Sequence, residues 1–353
     1  MVRFPKSLTP LLMVALMALL LAVLSACASP QSTFDPKSDA ADSVLTIYIL
    51  VTVVASVVGF AVLAAMVWLI IKFRAKPGVP ARQIHGNNRL EASWTIAPIL
   101  VLLIIGIPTM FWIAGTAEEP AADVLEVEAV GHQWWFEFTY PGMGPDGGDL
   151  ITANELVIPV GRDIRVTLHS DDVLHSFWVP QLVGKTDMIP GRTNVLETFN
   201  VYEPGLYYGQ CAEFCGSAHA LMRFRVNAKT SANFSAWASA HNSGPTAPEP
   251  GTAAARGALG FATCSGCHAI SGTAAQGRIG PDLSLFGERS TLAAGVLDNT
   301  DANLKAWIAD VRSFKPIPEG ARFMPAFNND TVTTLDDGQI ADIAAYLNSL
   351  TAK

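Results

Sequence analysis

Charged side chains are scarce in this sequence, at 15% of 353 residues, where an average soluble domain carries about 25%. Half of the residues are hydrophobic, and the mean hydropathy is +0.32. This composition argues against a wholly soluble protein. It also excludes a disordered chain, because disorder requires low hydrophobicity together with high charge.

Basic side chains are fewer than acidic ones. The sequence has 23 Lys and Arg against 31 Asp and Glu, for a net charge of −8, which argues against nucleic acid as a partner. Cysteine is also rare. Five cysteines are an odd count, so simple disulfide pairing leaves one over and each thiol needs its own assignment.

The first residues are typical of an export signal. Basic Arg3 and Lys6 precede an apolar run to Val23, and the letters LSAC then end at Cys27. This order predicts a signal peptide over residues 1–26 that is removed. Small residues before a cysteine resemble a bacterial lipobox, which implies a lipid on Cys27. The alternative is an uncleaved helix that ends at a cysteine by chance.

Two apolar runs, at about residues 44–71 and 92–114, are each long enough to cross a membrane, which takes about 20 residues. Buried core helices are the weaker alternative at this length. The segment between the runs carries one acid, Glu91, and several basic side chains: Lys72, Arg74, Lys76, Arg82 and Arg89. Because short cytoplasmic loops are rich in Lys and Arg, residues 27–118 are predicted to form a hairpin with both ends outside.

The external part divides into two regions. Residues 119–241 alternate short β-rich runs with turn residues, which favours a β-sandwich or Greek-key barrel. The expected strands cover residues 124–130, 134–140, 155–159, 164–168, 177–179, 194–201, 205–208 and 221–226. Residues 242–253 are rich in Pro, Gly and Ala and predict a linker. Residues 254–353 show helical patterns near 254–263, 301–311 and 336–350, which predict a small all-α domain.

A short segment of the β-rich region holds two thiols, an imidazole and a thioether. They belong to Cys211, Cys215, His219 and Met222, and a second imidazole, His175, lies upstream. Thiolate, thioether and imidazole ligands together favour copper. A blue single-copper site uses one cysteine, so the second thiol predicts two coppers bridged by both sulfurs, with one histidine on each. Met222 and the backbone carbonyl of Glu213 would supply weak axial contacts.

The cysteine pair has two other interpretations. A disulfide between Cys211 and Cys215 would be ordinary outside the cell, but it does not explain the spacing of the histidine and the methionine. A zinc site is the second interpretation, and zinc rarely takes methionine. Copper accounts for more of these residues than either alternative.

The α domain contains Cys264-Ser-Gly-Cys267-His268, the pattern of c-type haem attachment. The two thiols would form thioethers to the haem, and His268 would bind the iron. Met324 is the candidate for the second axial ligand, and packing in the core is its alternative role. His/Met ligation suits electron transfer because it leaves no open position on the iron. Residues 254–353 resemble a class I monohaem cytochrome c, which implies a covalent haem c.

The spacing Cys-x-Glu-x-Cys-x3-His-x2-Met, with His175 upstream, resembles the binuclear copper (CuA) signature of cytochrome c oxidase subunit II. Further matching stretches begin at Glu91, Gly131 and Lys185, so the resemblance covers roughly residues 40–230. It implies a cupredoxin-like Greek-key barrel for the β-rich region. It also implies that the hairpin packs against subunit I, with subunit III as a further partner.

The resemblance carries roles for individual residues. Trp134 resembles the exposed tryptophan through which electrons enter from cytochrome c, and its alternative role is that of a core aromatic. The side chain of Glu213 resembles a magnesium ligand at the interface with subunit I. Glu91 resembles a carboxylate at the mouth of a proton path, and its alternative role is that of an interfacial acid at the end of the loop.

The expected function is subunit II of a proton-pumping haem–copper terminal oxidase in the bacterial cell membrane, with the copper and haem domains on the periplasmic side. The chain would carry electrons from cytochrome c, or a similar basic donor drawn to the acidic external part, to the oxygen site of subunit I. That oxygen site cannot lie in this chain, which has two relay centres with filled ligand sets. The alternatives are the copper subunit of a nitric oxide reductase and a membrane-anchored electron carrier.

Overall fold

The computed structural model describes residues 29–75, 77, 78, 80, 86–116, 123–318, 323–328 and 334–351. The predicted signal peptide and Cys27 lie outside these residues, so their assignment stays a prediction. The described part of the chain forms two long helices, a two-sheet β-sandwich and a largely helical C-terminal region. These three parts agree with the fold class expected from the sequence.

Helices α1 (Asp39–Lys72) and α2 (Asn88–Thr116) contain the two predicted spans. Each is apolar and long enough to cross a bilayer, and each exposes its apolar side chains in the isolated chain. The start of α1 is set by Ser38, whose hydroxyl accepts a hydrogen bond from the Ala41 N–H. A surface of this kind is stable in lipid or against the helices of another subunit.

The first turn of α1 is bonded to the β-sandwich. Asp39 Oδ1 accepts a hydrogen bond of 2.8 Å from the Asn200 N–H. Just before the helix, Lys37 Nζ lies 3.0 Å from Glu203 Oε1. The sandwich therefore lies at the N-terminal end of α1, on the side predicted to be outside.

The sandwich joins two sheets of mixed strand direction. Its strands are β1 (Val124–His132), β2 (Trp135–Tyr140), β3 (Leu150–Ala153), β4 (Glu155–Pro159), β5 (Asp163–Ser170), β6 (His175–Val179), β7 (Val183–Met188), β8 (Asn194–Val195), β9 (Phe199–Asn200), β10 (Gly205–Cys211) and β11 (Arg223–Lys229). One sheet has the order β3-β2-β1-β5-β8, with β9 also paired to β5, and the other has the order β4-β11-β10-β6-β7. Between the sheets, the Phe224 ring centroid lies 4.7 Å from those of Phe136 and Phe177.

The strands differ from the prediction at three places. β3 was not expected; Asn154, with a φ of 59°, turns the chain from β3 in one sheet to β4 in the other. β7 was not expected either, because it is an edge strand whose four central residues are one glycine and three polar side chains. The run at 194–201, predicted as one strand, forms the two short strands β8 and β9, which pair separately with β5.

A helix that the sequence pattern did not predict, α3 (Ser231–Ser243), follows the sandwich and covers one end of it. Thr230 caps its start by accepting a hydrogen bond from the Asn233 N–H. Trp237 on α3 packs edge-on against Tyr140, with ring centroids 5.4 Å apart. The helix therefore runs two residues into the stretch predicted as linker.

The C-terminal region contains α4 (Ala253–Gly260), α5 (Asp301–Ala309), α6 (Asp337–Ser349) and a short hairpin of β12 (Thr291–Leu292) and β13 (Leu297–Asp298). Helices α4 and α6 cross in contact at Gly257, where an added Cβ would lie 1.9 Å from the Asp342 carbonyl oxygen. Glycine is therefore required for the close approach of these two helices. Beside the crossing, the Phe261 and Tyr346 rings pack edge to face, 5.7 Å apart.

Candidate copper and haem sites

The predicted copper ligands meet at one end of the sandwich, on three neighbouring segments. Cys211 ends β10, Met222 directly precedes β11, and the loop between them carries Cys215 and His219. His175 begins β6, which pairs with β10. The loop is closed at its base by a hydrogen bond of 2.9 Å from the Cys211 N–H to the Met222 carbonyl. Strand pairing thus brings the distant histidine beside the cysteine loop.

The two thiols lie at the centre of the cluster, with Sγ atoms 3.7 Å apart. His175 Nδ1 lies 3.9 Å from Cys211 Sγ, and His219 Nδ1 lies 3.5 Å from Cys215 Sγ. Each imidazole therefore faces a different sulfur. Met222 Sδ is 3.8 Å from Cys215 Sγ, and the Glu213 carbonyl oxygen is 3.2 Å from Cys211 Sγ.

These distances bear on the interpretations of the cysteine pair. The thiols are free, with their sulfurs farther apart than the roughly 2.05 Å of a disulfide bond. Among the described residues, His175, Cys211 and Cys215 place ligand atoms within 4.8 Å of one another, and His219 Nδ1 adds a fourth at 3.5 Å from Cys215 Sγ. Two sulfurs between two outlying imidazoles fit a pair of metal ions, with soft ligands of the kind copper prefers.

The thiols also influence each other's ionisation. The hydrogen bond from the Cys215 thiol lowers the pKa of Cys211 to about 4, and burial opposes this shift. The same contact, together with burial, raises the pKa of Cys215. Cys211 can thus bind metal as a thiolate. Cys215 keeps its proton until a metal ion takes the place of that proton.

Asp172 is a functional residue that the sequence argument missed. Its Oδ1 lies 2.7 Å from His175 Nε2, and its Oδ2 accepts a hydrogen bond of 2.7 Å from the Gln133 N–H. Burial is the largest influence on His175 and disfavours its charged imidazole, but the hydrogen bonds and charges of Asp172 and Cys211 together outweigh it and raise the pKa of His175. A carboxylate on the far nitrogen of a metal-binding histidine fixes its orientation. An acid three residues before His175 was the signal available in the sequence.

Trp134 contacts the backbone of the cysteine cluster. Its Nε1–H donates a hydrogen bond of 3.0 Å to the Cys215 carbonyl, which also accepts one of 2.7 Å from the Gln133 side chain. The resemblance implied an exposed tryptophan, with a core aromatic as the alternative, and Trp134 is 3% exposed. The reason is that the C-terminal domain covers it: the Phe323 ring lies 6.1 Å from the indole, and Lys315 contacts its backbone.

The two acids with roles implied by resemblance lie apart from each other. Glu213 is half-buried in the cysteine loop, where its carboxylate accepts a hydrogen bond from the Phe214 N–H. Glu91 lies in the first turn of α2 and accepts a hydrogen bond of 3.3 Å from the Asn87 N–H. This second contact stabilises the start of the helix, and neither contact tests the metal or proton role.

The predicted haem ligand His268 is oriented by its surroundings. Its Nδ1 lies 2.8 Å from the Pro281 carbonyl oxygen, which makes Nδ1 the protonated nitrogen and leaves Nε2 for the iron. A Cβ on Gly280 would lie 2.7 Å from the ring, so glycine lets the loop close over the imidazole. Burial lowers the pKa of His268, which favours the neutral form that binds iron.

The other haem candidates surround the same core. Cys264 and Met324 are half-buried and pack against the apolar core of the C-terminal domain, and Cys267 is exposed. Both cysteines are free thiols, as covalent attachment to a haem requires. The residues present therefore fit a covalently attached haem c.

Comparison with known proteins agrees with this division of the chain. Residues 31–111 match the family described as cytochrome c oxidase subunit II, transmembrane domain. Residues 146–229 match the cytochrome c oxidase subunit II, periplasmic domain, and residues 254–351 match cytochrome c. The chain is thus a membrane protein with a periplasmic sandwich, and its cofactors are the binuclear copper centre and haem c.

Relatives with the same organisation extend over most of the chain. Cytochrome c oxidase subunit 2 of Alkalihalophilus pseudofirmus is 36% identical over 329 residues, which cover 90% of each protein. Cytochrome c oxidase subunit 2 of Bacillus subtilis is 32% identical over 97% of this chain and 98% of its own length. The chain therefore belongs to the cytochrome c oxidase subunit 2 family, as subunit II of a haem–copper oxidase with a fused cytochrome c domain.

Proposed function

We propose that this chain receives electrons at its haem domain and delivers them, through its copper domain, to the oxygen-reducing site of subunit I. When bound, the haem and the copper pair each accept and release one electron. The residues proposed to hold the haem are Cys264, Cys267, His268 and Met324. Those proposed to hold the coppers are His175, Cys211, Cys215, His219 and Met222, with the carbonyl of Glu213.

The observation that carries this proposal is the position of Trp134 between the two sites. Its indole N–H is bonded to the carbonyl of Cys215, and its ring faces Phe323, the residue next to Met324. Protein groups in contact thus lead from one ligand set to the other. The surrounding residues bury Trp134 and both thiols, which excludes water from this connection.

Several finer assignments accompany the proposal. Cytochrome c or a similar basic protein is the proposed donor, since acidic side chains outnumber basic ones over residues 114–230. Subunit III, proton pumping, a proton-path role for Glu91 and a magnesium ion on Glu213 rest on the resemblance alone. The lipid on Cys27 rests on the sequence of the export signal.

Spectroscopy of the purified membrane complex tests the proposal. We expect the paramagnetic signal of one electron shared by two coppers, together with the optical band of haem c. A disulfide or zinc at the cysteine pair would give no copper signal and would refute the assignment of the ligands.

Two functional alternatives need other measurements. Oxygen and nitric oxide assays of the same complex separate an oxidase from a nitric oxide reductase, and the family assignment favours the oxidase. A membrane-anchored carrier would be purified without a large haem-containing partner. We expect such a partner, because two apolar helices exceed what anchoring alone requires.

A further inference from the structure

Among the described residues, two groups of hydrogen bonds join the C-terminal domain to the sandwich, and the first is centred on Lys315. Its Nζ donates a hydrogen bond of 3.0 Å to the carbonyl oxygen of Trp134, and the side chain is 2% exposed. Beside it, Ser217 donates a hydrogen bond to the Pro316 carbonyl. Phe323 packs against the core of the sandwich in the same region. A lysine of one domain is therefore buried against the backbone of the other.

Burial lowers the pKa of Lys315 to about 7. Both its charged and its neutral forms carry an N–H that can donate to the Trp134 carbonyl, so this contact does not depend on one protonation state. Trp307 lies on the other side of the amine, with its ring centroid 6.0 Å from Nζ. The Trp307 ring also contacts Phe323 edge to face, at 6.4 Å, so the lysine and Phe323 are held together.

The second contact buries two charged side chains of the sandwich. Glu155, 9% exposed, accepts hydrogen bonds of 2.8 Å from both the N–H and the hydroxyl of Ser290. Arg225, 7% exposed, stacks over the Tyr208 ring and donates a hydrogen bond of 3.0 Å to the Gly295 carbonyl. The C-terminal domain supplies the partner in all three of these hydrogen bonds.

The turn that makes the second contact has an unusual backbone. Ala293 and Ala294 have φ angles of 57° and 59°, in the left-handed region that alanine rarely adopts. This conformation directs the Ala294 carbonyl to the Arg223 N–H of β11, at 3.0 Å. Such strain persists when the surrounding structure holds it, and here the sandwich supplies part of that support.

Buried lysine, glutamate and arginine side chains are costly unless each has a bonded partner. The lysine and the glutamate each bond to a partner in the opposite domain, and the arginine bonds to one carbonyl of its own domain and one of the opposite domain. A haem domain that only moved about on a linker would leave all three groups in solvent, so their burial requires one defined position. That position places Phe323 against Trp134 and covers the indole.

We propose that the haem domain is held at one fixed position on the copper domain, and that Lys315 is the positioning residue that sets Phe323 against Trp134. This inference rests on the proposed function for its electron-transfer consequence. Soluble donors would then reach the haem domain and not Trp134. The second contact, through Glu155 and Arg225, prevents the haem domain from rotating about the contact between Lys315 and Trp134.

The test compares Lys315→Met with wild type in the whole complex. Methionine keeps much of the apolar stem but removes the N–H, so the Trp134 carbonyl loses a donor and the docked state weakens about tenfold. Because a docked state that dominates in wild type still holds most of the population after a tenfold loss, we expect haem-to-copper electron transfer after flash reduction to slow by less than tenfold. The tenfold loss itself is measured by amide exchange. Amide exchange at Arg223, whose N–H is bonded to Ala294, should accelerate correspondingly, and this readout does not require bound cofactors.

Lys305→Met is the matched control, because Lys305 lies in the same domain, is partly exposed and pairs locally with Asp301. It should match wild type in both measurements. Lys315→Gln, which keeps an N–H donor, should restore part of the loss. Equal rates and equal exchange in Lys315→Met and Lys305→Met would overturn the inference.

If Lys315→Met does not fold, a measurement on the wild-type complex still tests the inference. At a fixed position, the haem-to-copper rate should be independent of solvent viscosity and nearly independent of salt, because buried contacts are weakly screened. A rate that falls as viscosity rises would show a moving domain and contradict the inference. Missing copper or haem signals would instead refute the proposed function, while the exchange measurement would still test the docking.

Discussion

At the residue scale, the cysteine cluster depends on side chains that touch its ligands and not the metal. Asp172 contacts His175, and Gln133 with Trp134 bonds the Cys215 carbonyl. These contacts hold an imidazole and a thiol in place before a metal arrives. The ligands themselves could be predicted because their residue types and spacing carry the chemistry. The contact of Gln133 and Trp134 with the cysteine loop could not be predicted, since only folding brings residues 133 and 134 beside it, and Asp172 left no more signal than an acid three residues before a histidine.

Asp172→Asn should weaken copper retention by about 10–100-fold, the range found when a carboxylate behind a metal-binding histidine is lost. The neutral amide of asparagine lacks the negative charge that strengthens the hydrogen bond to His175 Nε2, so the ring is held less firmly. Competition with a copper chelator, followed by the paramagnetic signal, measures the change. Asp171→Asn is the control, since its side chain is 72% exposed and pairs with His132. Equal retention by both variants would exclude this role for Asp172.

Met222→Leu should change the copper signal and leave the haem c band unaltered. Exchanging these two side chains in a core costs less than about 1.5 kcal/mol, so the fold persists while the thioether is lost. The copper potential should shift, because weak axial ligands tune it. Met143→Leu, a partly buried methionine away from the cluster, serves as the control. If both variants keep the wild-type copper signal, Met222 is a packing residue.

At the element scale, the close crossing of α4 and α6 determines whether the haem domain folds. Gly257→Val would place side-chain atoms where the Asp342 backbone lies, and overpacking of this kind costs about 3 kcal/mol. We expect a lower unfolding temperature for the haem domain and less covalent haem. Leu259→Val, on an exposed part of the same helix, should behave as wild type. Normal stability of Gly257→Val would mean that the helices can separate without loss.

The elements recovered from the sequence are those with strong periodicity, such as the two long apolar helices and α6. β7 and α3 were missed for a common reason: each packs on the sandwich through few apolar positions, and its remaining residues are polar. β8 and β9 follow one β-rich run, but their separate pairing with β5 is decided by the partner strand. The local pattern of apolar residues therefore predicts an element that has its own apolar face. It does not predict an element whose extent depends on pairing or packing with a neighbouring element.

At the scale of the whole molecule, the haem domain covers the face of the copper domain that carries Trp134. The sequence predicted both domains, but it left Trp134 open between an exposed entry residue, which the resemblance implied, and a core aromatic, because a contact between domains leaves no periodic signal in either. Lys315 illustrates this: in the sequence it is one more surface lysine, and in the structure it is buried under Trp134.

Truncation at Thr252 should slow steady-state oxidation of the donor and leave the copper signal in place. A linked domain acts at an effective concentration of about millimolar, which a free donor does not reach. Oxygen consumption at limiting donor concentration, compared with the full chain, measures the effect. The truncated form should also become more sensitive to salt, since its donor would meet the acidic sandwich directly. Equal turnover in both forms would contradict a required haem domain.

The bond between the first turn of α1 and the sandwich has a consequence for depth. Asp39 and Lys37 bond the helix start to the end of β9 at Asn200 and to the turn at Glu203. The position of α1 in the bilayer therefore sets the height of the copper centre above the lipid surface. Lengthening α1 by one turn would raise that start by about 5 Å. The length of the hairpin helices thus sets the distance of the copper domain from the lipid. A change in bilayer thickness would therefore change how closely the copper domain approaches the neighbouring subunit.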